Sequence, residues 1–126
     1  NEMSYYENIS LLAYSPLAGG LLTGKYLNNE MPTDSRITRV STIGDRVNKN
    51  AMKAVQEYMK ISKKFNIHPV HLALAFCTKR PFMGSVIFGA TTDEQLDVVI
   101  KGLDVDLNDE IMKEISLVYK NYALTF

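Results

Sequence analysis

A nearly continuous apolar run, Ile9 to Tyr14, ends in Tyr14-Ser15-Pro16 and opens into Leu17-Ala18-Gly19-Gly20-Leu21-Leu22-Thr23-Gly24-Lys25-Tyr26. An apolar run without alternation is the pattern of a strand buried on both faces of a parallel sheet. In parallel β/α folds, sites form at the carboxyl ends of strands, where Tyr14 and Ser15 stand. The ring suits stacking on a flat heterocycle, with a hydroxyl beside it. Gly19 and Gly20 lack Cβ atoms and let backbone approach a ligand closely, and Lys25 is placed to meet phosphate charge. On these residues alone, a core tyrosine followed by an ordinary turn is the plainer reading.

Further along, residues 16–46 are polar and punctuated by Gly, Pro, Ser, Thr and Asp, the pattern of a long loop. Loops beyond ~15 residues in compact domains are usually functional or disordered. From Val47 to Phe65 the spacing turns helical, with Val47, Ala51, Val55, Tyr58, Ser62 and Phe65 on one stripe and Asn66 at the end. A second helix starts at Pro69 and stops at Lys79-Arg80-Pro81. A short strand, Ser85 to Phe88, precedes Gly89. Thr92 and Gln95 form a capping-box pattern opening a helix with Leu96, Val99, Ile100 and Leu103 at helical spacing. Asn108 caps a last helix carrying Ile111, Ile115, Val118, Tyr119 and Tyr122 on one face. Two parallel-type strands separated by helices indicate β/α units. Two strands alone leave edges and flanks uncovered.

The second strand end has its own chemistry. Gly89-Ala90-Thr91-Thr92 leads into a helix N-terminus, where N–H groups and the dipole favour an anion. Thr91 and Gln95 add neutral donors, and Gln95 either completes the capping box or faces a ligand. Other candidates are weak. His68 and His71 have helix-start spacing and not a metal pattern, and Asp93-Glu94 complements the helix dipole. Tyr5-Tyr6 is expected to pack ahead of the first strand.

Composition narrows the partners. Fourteen basic and fourteen acidic residues cancel, so no basic field argues for nucleic acid. No apolar run approaches the ~18 residues of a membrane span, and the first residues lack the basic and apolar regions of a signal peptide. Cys77 is the one cysteine, so no internal disulfide forms, and its apolar neighbours mark a buried structural thiol. These features fit a cytoplasmic setting. The first residue is Asn1, which reads as a fragment.

Two motifs, Tyr14-Ser15-Pro16-Leu17-Ala18-Gly19-Gly20-Leu21-Leu22-Thr23-Gly24-Lys25-Tyr26 and Ile87-Phe88-Gly89-Ala90-Thr91-Thr92-Asp93-Glu94-Gln95-Leu96, resemble stretches of the aldo-keto reductases. Those are NADP-dependent carbonyl reductases built on a (β/α)8 barrel. Ser35-Arg36 resembles the family's loop pair, and Leu72 to Phe76 its helix before the last strand. The resemblance is strongest to the branch of Tas-like reductases and potassium-channel β subunits.

The resemblance implies that residues 1–126 are the C-terminal portion of one barrel, strands seven and eight with their helices. A whole barrel takes ~250 residues, about twice this length. It implies that Tyr14 stacks on the nicotinamide, while Ser15, Pro16, Leu17, Ala18 and Gly19 follow the pyrophosphate. Lys25 would pair with phosphate, and Arg36 would close over the adenosine half. Gly89, Thr91 and Gln95 would hold the 2′-phosphate and ribose. Val98 and Val99 replace the polar pair that reaches the adenine in the family, so adenine would be held more loosely. The family's catalytic aspartate, tyrosine, lysine and histidine lie upstream, so this chain supplies no catalytic residue and no metal ligand. The implied partners are a small carbonyl substrate and the N-terminal barrel half. A nucleotide-sensing regulatory subunit and a truncated remnant without function are the alternatives.

Overall fold

The structure, a computed structural model, describes residues 2–40 and 47–123. Helix α1 (Glu2–Tyr6) precedes strand β1 (Leu11–Tyr14), followed by two 3-10 turns, Ala18–Thr23 and Leu27–Asn29, and a one-turn helix α2 (Arg36–Arg39). Helices α3 (Lys49–Lys64) and α4 (Pro69–Thr78) lead to strand β2 (Met83–Ile87), and helices α5 (Asp93–Lys101) and α6 (Asp109–Asn121) close the described chain.

Local chemistry sets the helix ends. The Asn48 side chain accepts from the Asn50 and Ala51 N–H groups at 3.0 and 2.9 Å, starting α3. Asn66 adopts a left-handed φ of 52° just past its end, a conformation asparagine tolerates better than most residues. Pro69 occupies the first turn of α4, and Asn108 accepts from the Ile111 N–H at 2.9 Å to start α6.

Helices α3, α4 and α6 share one core: Ala54 and Ile61, Leu72, and Ile111, Ile115 and Val118. Lys64 spans its rim, donating to Glu110 at 3.1 Å and to Glu114. These groups are substantially exposed, so the apolar contacts dominate the joint.

The strands pair in parallel, with Leu12, Ala13 and Tyr14 opposite Ser85, Val86 and Ile87. A parallel pair needs a crossover, which α3 and α4 supply. The register slips between Leu11 and Leu12, skipping Gly84. A Cβ at Gly84 would lie 2.6 Å from the Ser10 Cβ, so the bulge requires glycine. Val86 packs onto the helix layer against Val70, Leu74 and Val99. By the two-residue period, Leu12, Tyr14, Ser85 and Ile87 share the opposite face.

Several expectations need correction. Strand β1 is not buried on both faces: Leu12 is 62% exposed and Tyr14 73%. Among the described residues only two strands form the sheet, and nothing covers its far face. Strand β2 starts two residues earlier than expected and ends at Ile87. On α5 only Val99 is buried; Leu96 and Ile100, and Leu103 beyond the helix end, are exposed, because α4 contacts one flank of α5. Tyr119 on α6 is also exposed. Tyr5 and Tyr6 stack edge-to-face on each other at 5.3 Å and stay outside the core. The expected loop holds the two 3-10 turns and α2; its residues 41–46 lie outside the described residues.

The His68 ring caps α4, with Nδ1 accepting from the Val70 N–H at 3.3 Å. Partial burial, and then the neighbouring His71, hold its pKa below the usual 6.5. The folded state therefore favours the neutral ring, so its stability contribution is full above the unfolded pKa. That contribution falls as pH drops through 6.5 toward the lower folded value. Protonation also removes the capping acceptor. His68→Asn keeps a cap and loses the titration, so its melting temperature should fall less than the parent's between pH 7.5 and 5.

Candidate functional site

Ser15 follows β1 with φ of 60°, and Ala18, Gly19 and Gly20 continue at 49°, 68° and 96°. Non-glycine residues pay for left-handed backbone, so the strand end turns sharply under a modest strain. The turn is stitched by the Ala18 N–H donating to the Ser15 carbonyl and the Gly20 N–H to the Leu17 carbonyl, both at 2.9 Å. Those two N–H groups are thereby engaged within the turn. At Gly20 the φ of 96° is what favours glycine, and a Cβ there would stand 3.2 Å from the Cε of the exposed Lys25 side chain.

The loop is anchored from beneath. Leu21, Tyr26, Ile37 and Val55 form one buried cluster joining the 3-10 turns, α2 and α3. Lys25 is adjacent to Tyr26 and places Nζ 5.1 Å from that ring's centroid. Arg36 is adjacent to Ile37. Anchoring of Tyr26 and Ile37 in one cluster brings both exposed cations to its rim. Among the described residues neither meets a carboxylate, whereas Arg39 pairs with Asp34 at 3.7 Å.

The second strand end lies beside the first, because Tyr14 pairs with Ile87. A Cβ at Gly89 would meet nothing within 4 Å, so this backbone is open to approach. The Thr92 hydroxyl accepts from the Gln95 N–H at 3.3 Å, as a helix cap should. The Gln95 side chain departs from the expected box: its Oε1 accepts from the Thr91 N–H at 3.0 Å and from the Thr91 hydroxyl at 3.2 Å. Thr91 and Gln95 thus form one exposed polar pair, with the amide NH2 of Gln95 left to donate. Beside it, hydrogen bonds from Thr92 and from its own N–H hold the Glu94 carboxyl below the usual range.

A second link joins the two ends. Leu17, from the first motif, packs on the Val70, Leu74 and Val99 cluster together with Val86 and Val98. Val98 and Val99 themselves take part in this packing. Val99 is 4% exposed and serves the core, and Val98 packs against the same cluster. Pro16 is likewise buried, acting as the pivot of the turn. Sequence reasoning missed Leu21, Tyr26 and Ile37 as the anchors of the loop. The signal was their spacing across short turns, which no single helical or strand period captures.

A cavity of about 560 Å³ lies on the helix side of β1, between Ala13, Pro16, Phe76, Cys77 and Ile115. Its lining is mainly apolar, and the Arg80 guanidinium stacks 4.1 Å from the Phe76 centroid. Burial pushes the Cys77 thiol up, against the smaller opposing effect of Arg80. A thiol held protonated is a poor nucleophile. Among the described residues no cluster of metal-ligating side chains occurs, and no helix is long and apolar enough to cross a membrane.

The model of the aldo/keto reductase family matches residues 1–120. The chain belongs to the aldo/keto reductase family. Protein Tas of Escherichia coli K12 is 40% identical over 122 residues, covering 97% of this chain and 35% of Tas. A probable voltage-gated potassium channel subunit beta from Oryza sativa subsp. japonica is 32% identical, over 90% of this chain and 36% of that protein. The L-glyceraldehyde 3-phosphate reductase of Escherichia coli K12 is 32% identical, over 76% of this chain and 29% of that enzyme. The chain thus spans about a third of the length of these family members.

The Tyr26 ring is 1% exposed, and its hydroxyl has no hydrogen-bond partner among the described residues. A buried, unpaired hydroxyl costs about 1–3 kcal/mol of desolvation. Tyr26→Phe should therefore be neutral or stabilising by up to ~1 kcal/mol in urea unfolding. Leu21→Ala, which empties a fully buried site in the same cluster, should cost about 2–5 kcal/mol.

Proposed function

We propose that this chain is the nucleotide-clasping part of an NADP-dependent aldo-keto reductase, comprising strands seven and eight of a (β/α)8 barrel. The observation that carries the reading is the parallel pairing of Tyr14 with Ile87, which sets the two motif-bearing strand ends side by side. The residues present suit the nucleotide. Tyr14 offers an exposed ring, Lys25 and Arg36 two cations without carboxylate partners among the described residues, and Gly89 an open backbone.

When bound, NADPH supplies a hydride to the carbonyl carbon of an aldehyde or ketone. Tyr14 presents the stacking face that orients the nicotinamide. The Ser15-Pro16-Leu17-Ala18-Gly19 turn carries the pyrophosphate, through groups other than the Ala18 N–H. Lys25 neutralises phosphate charge, and Arg36 closes over the adenosine half. Gly89, Thr91 and Gln95 receive the ribose and 2′-phosphate, where neutral donors suit a dianion next to a helix N-terminus. Proton donation falls to the remaining barrel units, whose strands continue the sheet from the free edges of β1 and β2. The cavity beside Ala13 and Phe76 then receives the helix of the adjoining unit. A cytoplasmic setting, where NADPH is available, accompanies this reading.

The similarity to channel β subunits supports a second reading, in which nucleotide occupancy is sensed by a partner and turnover is incidental. Rapid turnover of small aldehydes favours the enzyme; slow turnover with a stable partner complex favours the sensor.

Fluorescence titration of the full-length polypeptide with NADPH and NADH tests the common core of both readings. Saturable binding should be tighter for NADPH. Lys25→Met and Arg36→Met should each weaken it about 5–10-fold, the loss expected for one charge-assisted contact, with reduced salt sensitivity. Absence of binding, or parental affinity in both variants, would overturn the assignment.

A further inference from the structure

Helix α5 carries Gln95 in its first turn, so the placement of the whole helix decides where the Thr91–Gln95 pair stands. The helix is shallowly rooted: Val99 is its one buried residue, Leu96 and Ile100 are exposed, and so is Leu103 just past its end. Contacts confined to one flank, Val99 and the partly buried Val98, fix depth but resist rolling and sliding only weakly. A second constraint comes from α4. The His71 Nε2–H donates to the Val98 carbonyl at 2.7 Å, which requires a proton on Nε2.

The Val98 carbonyl is available for a chemical reason. The last turn of α5 tightens, and the Gly102 N–H donates to the Val99 carbonyl at 3.1 Å, one residue beyond the usual α-helical acceptor. The Val98 oxygen is thereby left without its helical partner, and His71 provides one. The same ring occupies the space beside Gly102, where a Cβ would come within 2.5 Å of the His71 Cδ2. Gly102 has an ordinary negative φ, so glycine is needed there for room and not for backbone freedom. A carbonyl and a missing side chain on α5 form a slot that accepts one imidazole from α4.

We propose that His71 is a positioning residue for nucleotide discrimination: by locking the C-terminal turn of α5, it sets the Thr91–Gln95 pair against the 2′-phosphate. This rests on the reading that Gly89, Thr91 and Gln95 hold that end of the nucleotide. His71 does not touch the nucleotide in this account and acts through α5 alone. The loss should therefore appear in the preference for NADPH over NADH, which share every group except the 2′-phosphate.

The test uses the full-length polypeptide, with NADPH and NADH affinities and melting temperatures measured on the same samples. His71→Leu should weaken NADPH about 5-fold, the equivalent of one net hydrogen bond, while NADH changes much less. His71→Gln, whose amide can donate to the same carbonyl, should restore most of the preference. Gly102→Ala, which disturbs the slot from the other side, should lower the preference as His71→Leu does. It carries the test if the leucine variant fails to fold. A parental NADPH:NADH ratio in folded His71→Leu or Gly102→Ala, even with a lower melting temperature, reduces His71 to a packing residue and overturns the proposal. If the unsubstituted protein binds neither nucleotide, the parent reading fails first and takes this one with it.

Discussion

Parallel pairing of β1 and β2 is the constraint from which the rest of the arrangement follows. An antiparallel pair would put Tyr14 and Ile87 at opposite ends of the sheet. A parallel pair puts both strand ends together but requires a crossover, and α3 and α4 occupy it. Once the crossover packs on one face, Val86 meets Val70, Leu74 and Val99, and Leu17 joins the same cluster from the first turn. Two sequence segments about seventy residues apart are thereby held by a backbone ladder and by a shared apolar contact.

The loop after β1 shows how exposed chemistry is held in place by buried anchors. Lys25 and Arg36 are exposed, yet their neighbours Tyr26 and Ile37 are in the core beside Leu21 and Val55. Burial of those side chains offsets the entropy of ordering a loop with little regular structure. The left-handed run at Ser15, Ala18, Gly19 and Gly20 is tolerated for the same reason.

The legible parts of the sequence were those with a period or a cap. Helices α3, α4 and α6 follow from apolar stripes and from Pro69 and Asn108. The partial miss at α5 has a physical cause: Leu96, Ile100 and Leu103 keep helical spacing, but the side chains that meet the core are Val98 and Val99. The same holds for β1, whose nearly continuous apolar run reads as doubly buried and stands half-covered. Motif residues such as Lys25, Arg36 and Gln95 could be named from resemblance. Whether Gln95 serves the helix cap or its neighbour Thr91 depends on a side-chain rotamer, which sequence does not carry. The substitution at Val98 and Val99 reads as a lost polar contact; in three dimensions Val99 also belongs to the cluster on which Leu17 packs.

The most direct test of the central claim, that the two strand ends act as one nucleotide cradle, is hydrogen–deuterium exchange of the full-length polypeptide with and without NADPH. The account predicts added protection in residues 15–25 and 89–95 together, at the same nucleotide concentration. Protection confined to one of the two segments, or absent from both, would contradict it.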